Sequence, residues 1–267
     1  VRDHNKCISC GRCIAACAEV EGPDILTFYI KHGRQIVGTK SGLPLRETDC
    51  ISCGHCVNAC PCGALRYTSE KANVFKALND PTKTVVAFVA PAVRAAVADY
   101  YKISTEESTD FMAGMLKKLG FDKVFDNAFG ADLTILEETT EFLGRVTKGG
   151  VMPQFTSCCP GWVNFVERRY PSLIPHLSSC KSPQMMMGAT LKNHYTKLAG
   201  IKREDLFVVS IVPCIAKKYE TRRPEFSVEG NPDVDAVLNS GEMMEMMELK
   251  HIEASDIVPM EYDEPYK

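Results

Sequence analysis

Eight cysteines near the start of the chain form two runs with the same spacing, C-x2-C-x2-C-x3-C. Thiolates spaced in this way are typical ligands of 4Fe–4S clusters, because three reach successive corners of one cubane while the fourth serves a neighbouring cluster. One run alone would also suit a zinc site, but two together indicate electron transfer. The spacing predicts a first cluster held by Cys7, Cys10, Cys13 and Cys60, and a second held by Cys50, Cys53, Cys56 and Cys17.

A second group of cysteines lies in two short motifs further along the chain. Cys158 and Cys159 stand in the string TSCCPGW, and Cys214 stands in the string VPCIAKKYE. Upstream, the string APAVR covers residues 90–94. These motifs closely resemble the active-site motifs of the iron-only (di-iron) hydrogenases, and the resemblance covers essentially the whole chain.

The resemblance implies the catalytic subunit of a hydrogenase, performing H2 ⇌ 2H+ + 2e−. In that family the H-cluster is a 4Fe–4S cubane joined through a cysteine sulfur to a di-iron unit with CO, cyanide and a bridging dithiolate amine. By resemblance, Cys159 and Cys214 are two cubane ligands, and Cys158 passes protons to the bridging amine. A thiol suits that role because its pKa lies close enough to neutrality for easy exchange of its proton.

The same resemblance assigns further pocket residues. Lys217 matches the lysine that donates to a cyanide ligand, for which a compact ammonium group is well suited. Pro91 and Ala92 would line the pocket beside the other diatomic ligands, and Glu220 matches an acidic family position near the site.

Two glutamates and a serine form a candidate proton route. Glu138 and Glu141 are three residues apart on a predicted helix, so their carboxylates share one face. Such a pair is more often a solvated face than a functional one. Ser178 is suited to bridge the two, because a hydroxyl both donates and accepts. The resemblance implies the order Cys158, Glu138, Ser178, Glu141 and then solvent.

The resemblance is incomplete. The family takes two more cubane ligands from a later, glycine-rich C-x3-C motif, and the chain stops at Lys267 before any such motif. It also opens at Val1 rather than at methionine. We therefore expect a piece of a longer protein whose complete form holds the H-cluster. Cys62 and Cys180 have no predicted role, and Val212 replaces the methionine usual in the family.

The expected fold class is α/β (α+β overall), with a two-cluster ferredoxin-like domain followed by an α/β hydrogenase active-site domain. The first domain covers residues 1–70, where Ile25–Lys31 and Gln35–Thr39 predict a hairpin between the two cysteine runs. Residues 71–82 predict a helix and a turn that link the domains. Residues 83–267 alternate apolar strands with helices, which predicts a mostly parallel sheet covered on both faces.

The strands of this sheet are expected to place the second group of cysteines. Ligands of parallel sheets bind beyond the carboxyl ends of the strands. Pro91, Ser157-Cys158-Cys159 and Pro213-Cys214 each follow a predicted strand, so we expect three strand ends to meet at one site. The predicted strands are 84–90, 123–126, 154–156, 206–212 and 234–238, and the predicted helices are 92–101, 134–146, 162–169 and 182–198.

Composition limits the class of protein. The 267 residues are 45% hydrophobic and 24% charged, which predicts a packed core. The net charge of −3 gives no reason to expect nucleic acid as a partner. No apolar stretch approaches the roughly 18 residues of a membrane span. The cysteine spacing favours a reducing compartment over a disulfide framework, so we expect a cytoplasmic protein.

The expected partners are H2, protons and other redox subunits within a hetero-oligomer. NAD-linked, ferredoxin-linked and formate-linked assemblies would all share this core. Two alternatives stay open: an electron-relay or assembly protein without di-iron chemistry, and a hydrogen-sensing relative. Assembly relatives usually lack the pair Cys158-Cys159 together with Lys217, and sensing relatives often replace the proton-shuttle cysteine. Both features therefore favour turnover.

Overall fold

The computed structural model describes residues 2–267. The α-helices, in chain order, are α1 (Arg12–Ala15), α2 (His55–Asn58), α3 (Lys71–Leu78), α4 (Val93–Tyr101), α5 (Glu107–Leu119), α6 (Ala128–Lys148), α7 (Pro160–Arg169), α8 (Pro183–Thr190), α9 (Thr196–Ala199), α10 (Lys217–Glu220) and α11 (Ser240–Leu249). The strands are β1 (Leu26–Lys31), β2 (Arg34–Thr39), β3 (Thr84–Val89), β4 (Lys123–Asp126), β5 (Leu206–Ile211), β6 (Ser227–Val228), β7 (Asn231–Pro232) and β8 (Ala236–Leu238). Short 3-10 turns are Leu45–Glu47, Pro171–His176, Pro224–Phe226 and Ala254–Asp256, and π-helical turns are Ala16–Val20 and Leu191–Tyr195.

Backbone contacts divide the chain into two compact units. The first unit runs to Thr68 and also includes Cys159–Leu177. The second unit comprises Ser69–Cys158 and Ser178–Lys267. This division differs from the predicted one, because a segment from the middle of the chain belongs to the N-terminal unit.

The first unit contains the predicted hairpin. Strands β1 and β2 pair antiparallel, with Lys31 opposite Arg34. The two turn residues, His32 and Gly33, both have positive φ angles, 50° and 73°. Consecutive left-handed residues form the tight turn whose twist matches that of the flanking strands. The prediction of a hairpin between the cysteine runs is confirmed.

The two cysteine runs repeat one backbone shape. Ser9 and Ser52 take up positive φ angles of 56° and 59° at equivalent places. Gly11 and Gly54 follow with φ of 76° and 82°, and each comes directly before a short helix, α1 or α2. Alternation of left-handed and right-handed residues turns backbone N–H groups toward a common concavity, which suits an anionic group. Glycine meets this need without the strain of a β-carbon.

Helix α7 packs within the first unit through polar side chains that reach backbone carbonyls. Asn164, which is 1% exposed, donates from Nδ2 to the carbonyl of Ile51 at 3.2 Å. Arg168 donates to the carbonyl of Thr48, and Arg169 to that of Pro23, each at 2.8 Å. These bonds explain why residues 159–177 belong to the first unit.

The second unit is built on a four-stranded parallel sheet with the order β4-β3-β5-β8. One face, with Val85, Ala87 and Val89 of β3, is covered by α3, α4, α5 and α11. The other face, with Val86 and Phe88, is covered by α8 and the π-helical turn that follows it. The predicted α/β class and the parallel sheet are confirmed.

The linker expected at residues 71–82 is part of this core. Its helix forms as α3, but Val74 is fully buried and Ala77 is 6% exposed, both against the sheet face that α3 covers. The segment therefore belongs to the second unit, because its apolar side chains find partners there.

Two further predictions were wrong in detail. No strand forms at 154–156, because Phe155 directs its carbonyl to the N–H of Ser178 at 2.7 Å instead of to the sheet. Helix α6 begins at Ala128, six residues before the predicted start at 134, where the carboxylate of Asp126 accepts the Ala128 N–H at 2.9 Å.

Helices α6 and α8 approach each other closely at Gly130. A β-carbon there would lie 2.5 Å from the carbonyl oxygen of Pro183, so only glycine fits. This contact fixes the position of α6, the helix that bears Glu138 and Glu141. Among residues 2–267, none of the helices is both long and apolar enough to traverse a bilayer.

Candidate cluster and active sites

A cavity in the first unit is lined by the four cysteines predicted for the first cluster. Cys7, Cys10 and Cys13 come from the first run, and Cys60 comes from the second. Cys62 lines the same cavity, whose volume is about 390 Å³ including its opening to solvent. The structure therefore brings together this predicted set with its exchanged fourth member.

A second cavity in the same unit is lined by the other predicted set. Cys50, Cys53 and Cys56 come from the second run, and Cys17 comes from the first. The volume is about 360 Å³, again including the opening. The remaining lining is largely apolar, with Ile25 among its buried residues.

The electrostatics of the second cavity fit a cationic metal core. Burial raises the pKa of Cys53 to about 11, and burial with the nearby cysteines raises that of Cys56 to about 12. Burial also raises the pKa of Cys50 and, in the first cavity, that of Cys13. Such thiols keep their protons unless a cation offsets the thiolate charge, and iron supplies that charge.

The four predicted cysteine sulfurs around each cavity match the donor set of a 4Fe–4S cluster. Over residues 2–267, no three cysteine, histidine, aspartate or glutamate side chains converge on a single ion. A cubane spreads its iron corners over a larger volume, so its ligands need not meet at one point. The donor set therefore fits a cluster rather than a mononuclear metal.

Cys60 differs from the buried thiols of the second cavity. Burial raises the pKa of Cys60, but the nearby backbone N–H groups of Leu65, Cys62 and Ala64 lower it more. Their combined effect sets the pKa of Cys60 below its ordinary value.

The second candidate site begins at the carboxyl ends of β3 and β5. These strands are neighbours, and the Ala90 N–H donates to the Ile211 carbonyl at 2.9 Å. Pro91 and Ala92 follow β3, and Cys214 follows β5, all three with exposed side chains. Two of the three expected strand ends therefore meet at this edge of the sheet.

Lys217 joins Cys158 to the same edge. Its Nζ donates to the backbone carbonyl of Cys158 at 2.7 Å and to Oε2 of Glu220 at 2.9 Å. Glu220 is only 3% exposed, whereas the Cys158 side chain is exposed. Two motifs that are distant in sequence are thus held together by one ammonium group.

A glutamine that sequence reasoning missed completes this network. Gln184, 1% exposed, donates from Nε2 to Oε2 of Glu220 at 2.9 Å. Its own Oε1 accepts the hydroxyl of buried Ser210 at 2.7 Å. Buried polar groups need such partners because desolvation is otherwise costly. No motif in the sequence pointed to Gln184.

Ser178 and Glu141 are directly joined. The Ser178 hydroxyl donates to Oε2 of Glu141 at 2.8 Å, and Arg145 donates to Oε1 at 2.6 Å. Burial raises the pKa of Glu141, but the donors Ser178, Arg145 and the Ser179 N–H outweigh it, so the pKa lies below its ordinary value. The i,i+4 spacing of Glu141 and Arg145 was a signal that could have identified the arginine.

Glu138 is not joined to this pair. Its backbone carbonyl accepts Nε2 of Gln154 at 3.3 Å, and its side chain lines a shallow surface cavity beside Thr156. Within residues 2–267, neither the Glu138 carboxylate nor the Cys158 thiol forms a hydrogen bond. The predicted route is therefore connected between Ser178 and Glu141, but hydrogen bonds join neither Cys158 to Glu138 nor Glu138 to Ser178 among residues 2–267.

The remaining cysteines have separate surroundings. Cys159, in the first unit, is exposed and caps helix α7, where its sulfur accepts the N–H of Trp162 at 3.5 Å. Cys180 donates to the carbonyl of Thr134 at 3.7 Å, and burial together with Glu138 raises its pKa to about 11. Val212 is 4% exposed in the apolar core.

Two family profiles match the chain. The profile described as "Iron only hydrogenase large subunit, C-terminal domain" matches residues 83–267. The profile described as "4Fe-4S dicluster domain" matches residues 6–64.

Similar proteins include several hydrogenases. The NADP-reducing hydrogenase subunit HndD of Solidesulfovibrio fructosivorans is 43% identical over 272 residues, which cover 99% of this chain and 46% of that protein. Iron hydrogenase 1 of Clostridium pasteurianum is 42% identical over 246 residues, 92% of this chain and 43% of that protein. The chain thus spans less than half the length of these relatives.

A solved structure of an apo FeFe-hydrogenase from Chlamydomonas reinhardtii is similar with a TM-score of 0.70 and 39% identity, covering 74% of this chain and 52% of that chain. The chain is also similar to the cytosolic Fe-S cluster assembly factor narfl of Danio rerio. That protein is 34% identical over 188 residues, which cover 68% of this chain and 46% of that protein.

Proposed function

Because the chain belongs to the iron-only hydrogenase family, we propose that it forms the electron-relay unit and part of the active-site domain of a hydrogenase catalytic subunit. The reaction is the reversible interconversion of H2 with two protons and two electrons. The observation that carries the proposal is the Lys217 ammonium group, which joins the Cys158 carbonyl to the Glu220 carboxylate. It supports the proposal because it unites the two motifs that the reaction requires.

The H-cluster, when bound, supplies the metal centre at which H2 is split. The protein contributes ligands, position and proton transfer. Cys159 and Cys214 would supply two thiolates to the cubane, and Pro91 and Ala92 would line the pocket.

Lys217 is suited to recognise an anionic diatomic ligand. An ammonium group has three N–H donors. Two of them are used by Cys158 and Glu220. Within the described residues the third has no acceptor, and the side chain is 14% exposed. A largely desolvated donor of this kind interacts strongly with an anion because water does not compete.

Glu141 is suited to the solvent end of the proton route. Its ionised form is favoured by Ser178 and Arg145, so it releases a proton readily at neutral pH. The hydroxyl of Ser178 delivers the proton directly to Oε2. Cys158 and Glu138 would complete the route from the metal centre.

The two cavities of the first unit support electron transfer. Their ligand sets match the two 4Fe–4S clusters of the dicluster domain family, with Cys17 and Cys60 exchanged between the runs. Electrons released at the active site would leave through these clusters to a redox partner.

The partner that the similarities favour is a nicotinamide-linked electron-transfer subunit, since the relative HndD is named as a subunit of an NADP-reducing hydrogenase. We propose a hetero-oligomer in a reducing compartment such as the cytoplasm, where free thiols persist for cluster binding.

A second candidate function is iron–sulfur cluster assembly, which the similarity to the narfl assembly factor favours. In that case the N-terminal clusters would form, but no H2 turnover would occur. The presence of Cys158 and Lys217, both in position at the sheet edge, supports turnover instead.

The test uses the complete protein loaded with the H-cluster. Reduction of a viologen dye under H2 measures turnover, and iron analysis measures cluster content. Turnover that disappears in Cys158→Ser while the iron content is unchanged supports a hydrogenase. Absence of turnover in the fully loaded wild type, with transfer of a cluster to an apo-acceptor protein, would establish the assembly function.

A further inference from the structure

A fifth thiol lines the first cluster cavity. Cys62 stands two residues beyond Cys60, and its Sγ lies 3.8 Å from the Cys60 Sγ. It shares the cavity wall with Cys7, Cys10 and Cys13. The cluster motif needs four thiolates, so this fifth one has no role in it.

The distance between the two sulfurs places them at the same part of the cavity. At 3.8 Å they are in S–H···S contact, so a proton can pass between them. Both side chains are half-buried. Because each iron corner of a cubane takes one protein thiolate, one of the two sulfurs is surplus whenever the other is bound.

The backbone between the two cysteines keeps them paired. Pro61 lies between them and restricts the chain there to one φ angle. Ala64 and Leu65, just beyond Cys62 in the chain, line the same cavity. The short segment from Cys60 to Leu65 therefore presents both thiols to one cavity.

We propose that Cys62 is a reserve ligand of the first 4Fe–4S cluster, able to bind the iron corner that Cys60 otherwise holds. In the exchange an Fe–S bond to Cys60 breaks and one to Cys62 forms. The thiol proton of Cys62 passes to the released Cys60 thiolate, and no oxidation state changes. The proposal rests on cluster binding by the first unit.

The second cavity supplies a matched control. Its cysteines are Cys17, Cys50, Cys53 and Cys56, and no fifth thiol lines it within residues 2–267. Cys17 is the exchanged ligand there, as Cys60 is in the first cavity. We therefore expect a reserve ligand that can replace Cys60, but none that can replace Cys17.

The experiment measures iron and sulfide in the complete chain after anaerobic cluster reconstitution, together with the electron paramagnetic resonance spectrum of the reduced protein. The variants are Cys60→Ala, Cys60→Ser, Cys62→Ala, the double variant Cys60→Ala/Cys62→Ala, and Cys17→Ala. The wild type should hold about eight iron atoms from two clusters.

Cys60→Ala and Cys62→Ala should each retain about eight iron atoms and the spectrum of two interacting clusters. The double variant and Cys17→Ala should retain about half the iron. If Cys60→Ala, Cys60→Ser and the double variant all lost the same amount of iron, the reserve-ligand proposal would be overturned. A wild type with iron for less than two clusters would instead overturn the underlying cluster assignment, so the two failures are distinguishable.

Discussion

The Nζ atom of Lys217 lies 2.7 Å from the backbone carbonyl oxygen of Cys158, and this bond ties the loop that presents Cys158 to helix α10. The same ammonium group neutralises Glu220, which is 3% exposed. Lys217 therefore acts on the site in two ways: it positions the Cys158 loop and it compensates a buried carboxylate.

Lys217→Met should destabilise the second unit by about 3 kcal/mol, because it leaves the Glu220 charge buried without its cation. Denaturant unfolding measures this loss. Lys202→Met is the control, since that side chain is 77% exposed and should change stability by less than about 0.5 kcal/mol.

A double-mutant cycle sharpens this test. In a Glu220→Gln background the buried charge is absent. Lys217→Met should therefore lower the free energy of unfolding clearly less in that background than in the wild type. Equal costs in both backgrounds would show that the ion pair does not determine the effect.

The stability contributed by Glu141 should depend on pH. Its pKa in the folded protein lies below the ordinary value of 4.5, because Ser178 and Arg145 outweigh burial. The ionised carboxylate therefore stabilises the fold above about pH 4.5, and this contribution is lost as the pH falls through the folded pKa. At pH 7, Glu141→Gln should cost about 1–2 kcal/mol.

Unfolding measured at pH 7 and at about pH 3 checks the sign of this effect. The difference in free energy of unfolding between the wild type and Glu141→Gln should be smaller at the acidic pH than at pH 7. A difference that grows with acidity would mean that the folded pKa of Glu141 is raised rather than lowered. Ser178→Ala, which removes one donor, should give an intermediate loss at pH 7.

In the complete enzyme loaded with the H-cluster, Cys158→Ser should lower H2 turnover at least about 100-fold, because a serine hydroxyl does not ionise near neutral pH as a thiol does. Iron content should remain as in the wild type. Cys180→Ser is the matched control, since its hydroxyl can still donate to the Thr134 carbonyl, and it should keep most of the activity. Loss of iron in Cys158→Ser would show that this cysteine is a cluster ligand.

Removal of iron should loosen the first unit far more than the second. The hydrophobic cluster of the first unit is small: Leu26, Val37 and Leu65 pack there together with cluster-binding cysteines such as Cys13. Small cores of this kind depend on bound metal for stability. Amide hydrogen exchange after chelation should show lost protection in β1 and β2 and retained protection in β3 and β5. Equal loss in both units would contradict this.

Local patterns in the sequence predicted much of the fold. The hairpin, the four parallel strands and most helices follow from periodicity and turn residues, which act over a few positions. The exchanged cluster ligands followed from spacing alone, and both cavities contain the predicted sets.

Features that depend on contacts between distant segments could not be predicted in this way. The membership of α7 in the first unit depends on Asn164 reaching the carbonyl of Ile51. The place of Gln184 beside Glu220 depends on how α8 packs on the sheet. The sequence predicts a strand at 154–156, but the carbonyl of Phe155 accepts the N–H of Ser178 instead of pairing with the sheet.

The exchange of Cys17 and Cys60 between the runs has a consequence for biogenesis. Neither cavity is complete until both runs are in place, because each lacks its fourth sulfur without the other. A chain emerging from the ribosome with only its first run can offer three sulfurs to one nascent cluster. Neither cluster should therefore form on a nascent chain that carries only the first run, and both should be inserted after the hairpin between the runs has closed.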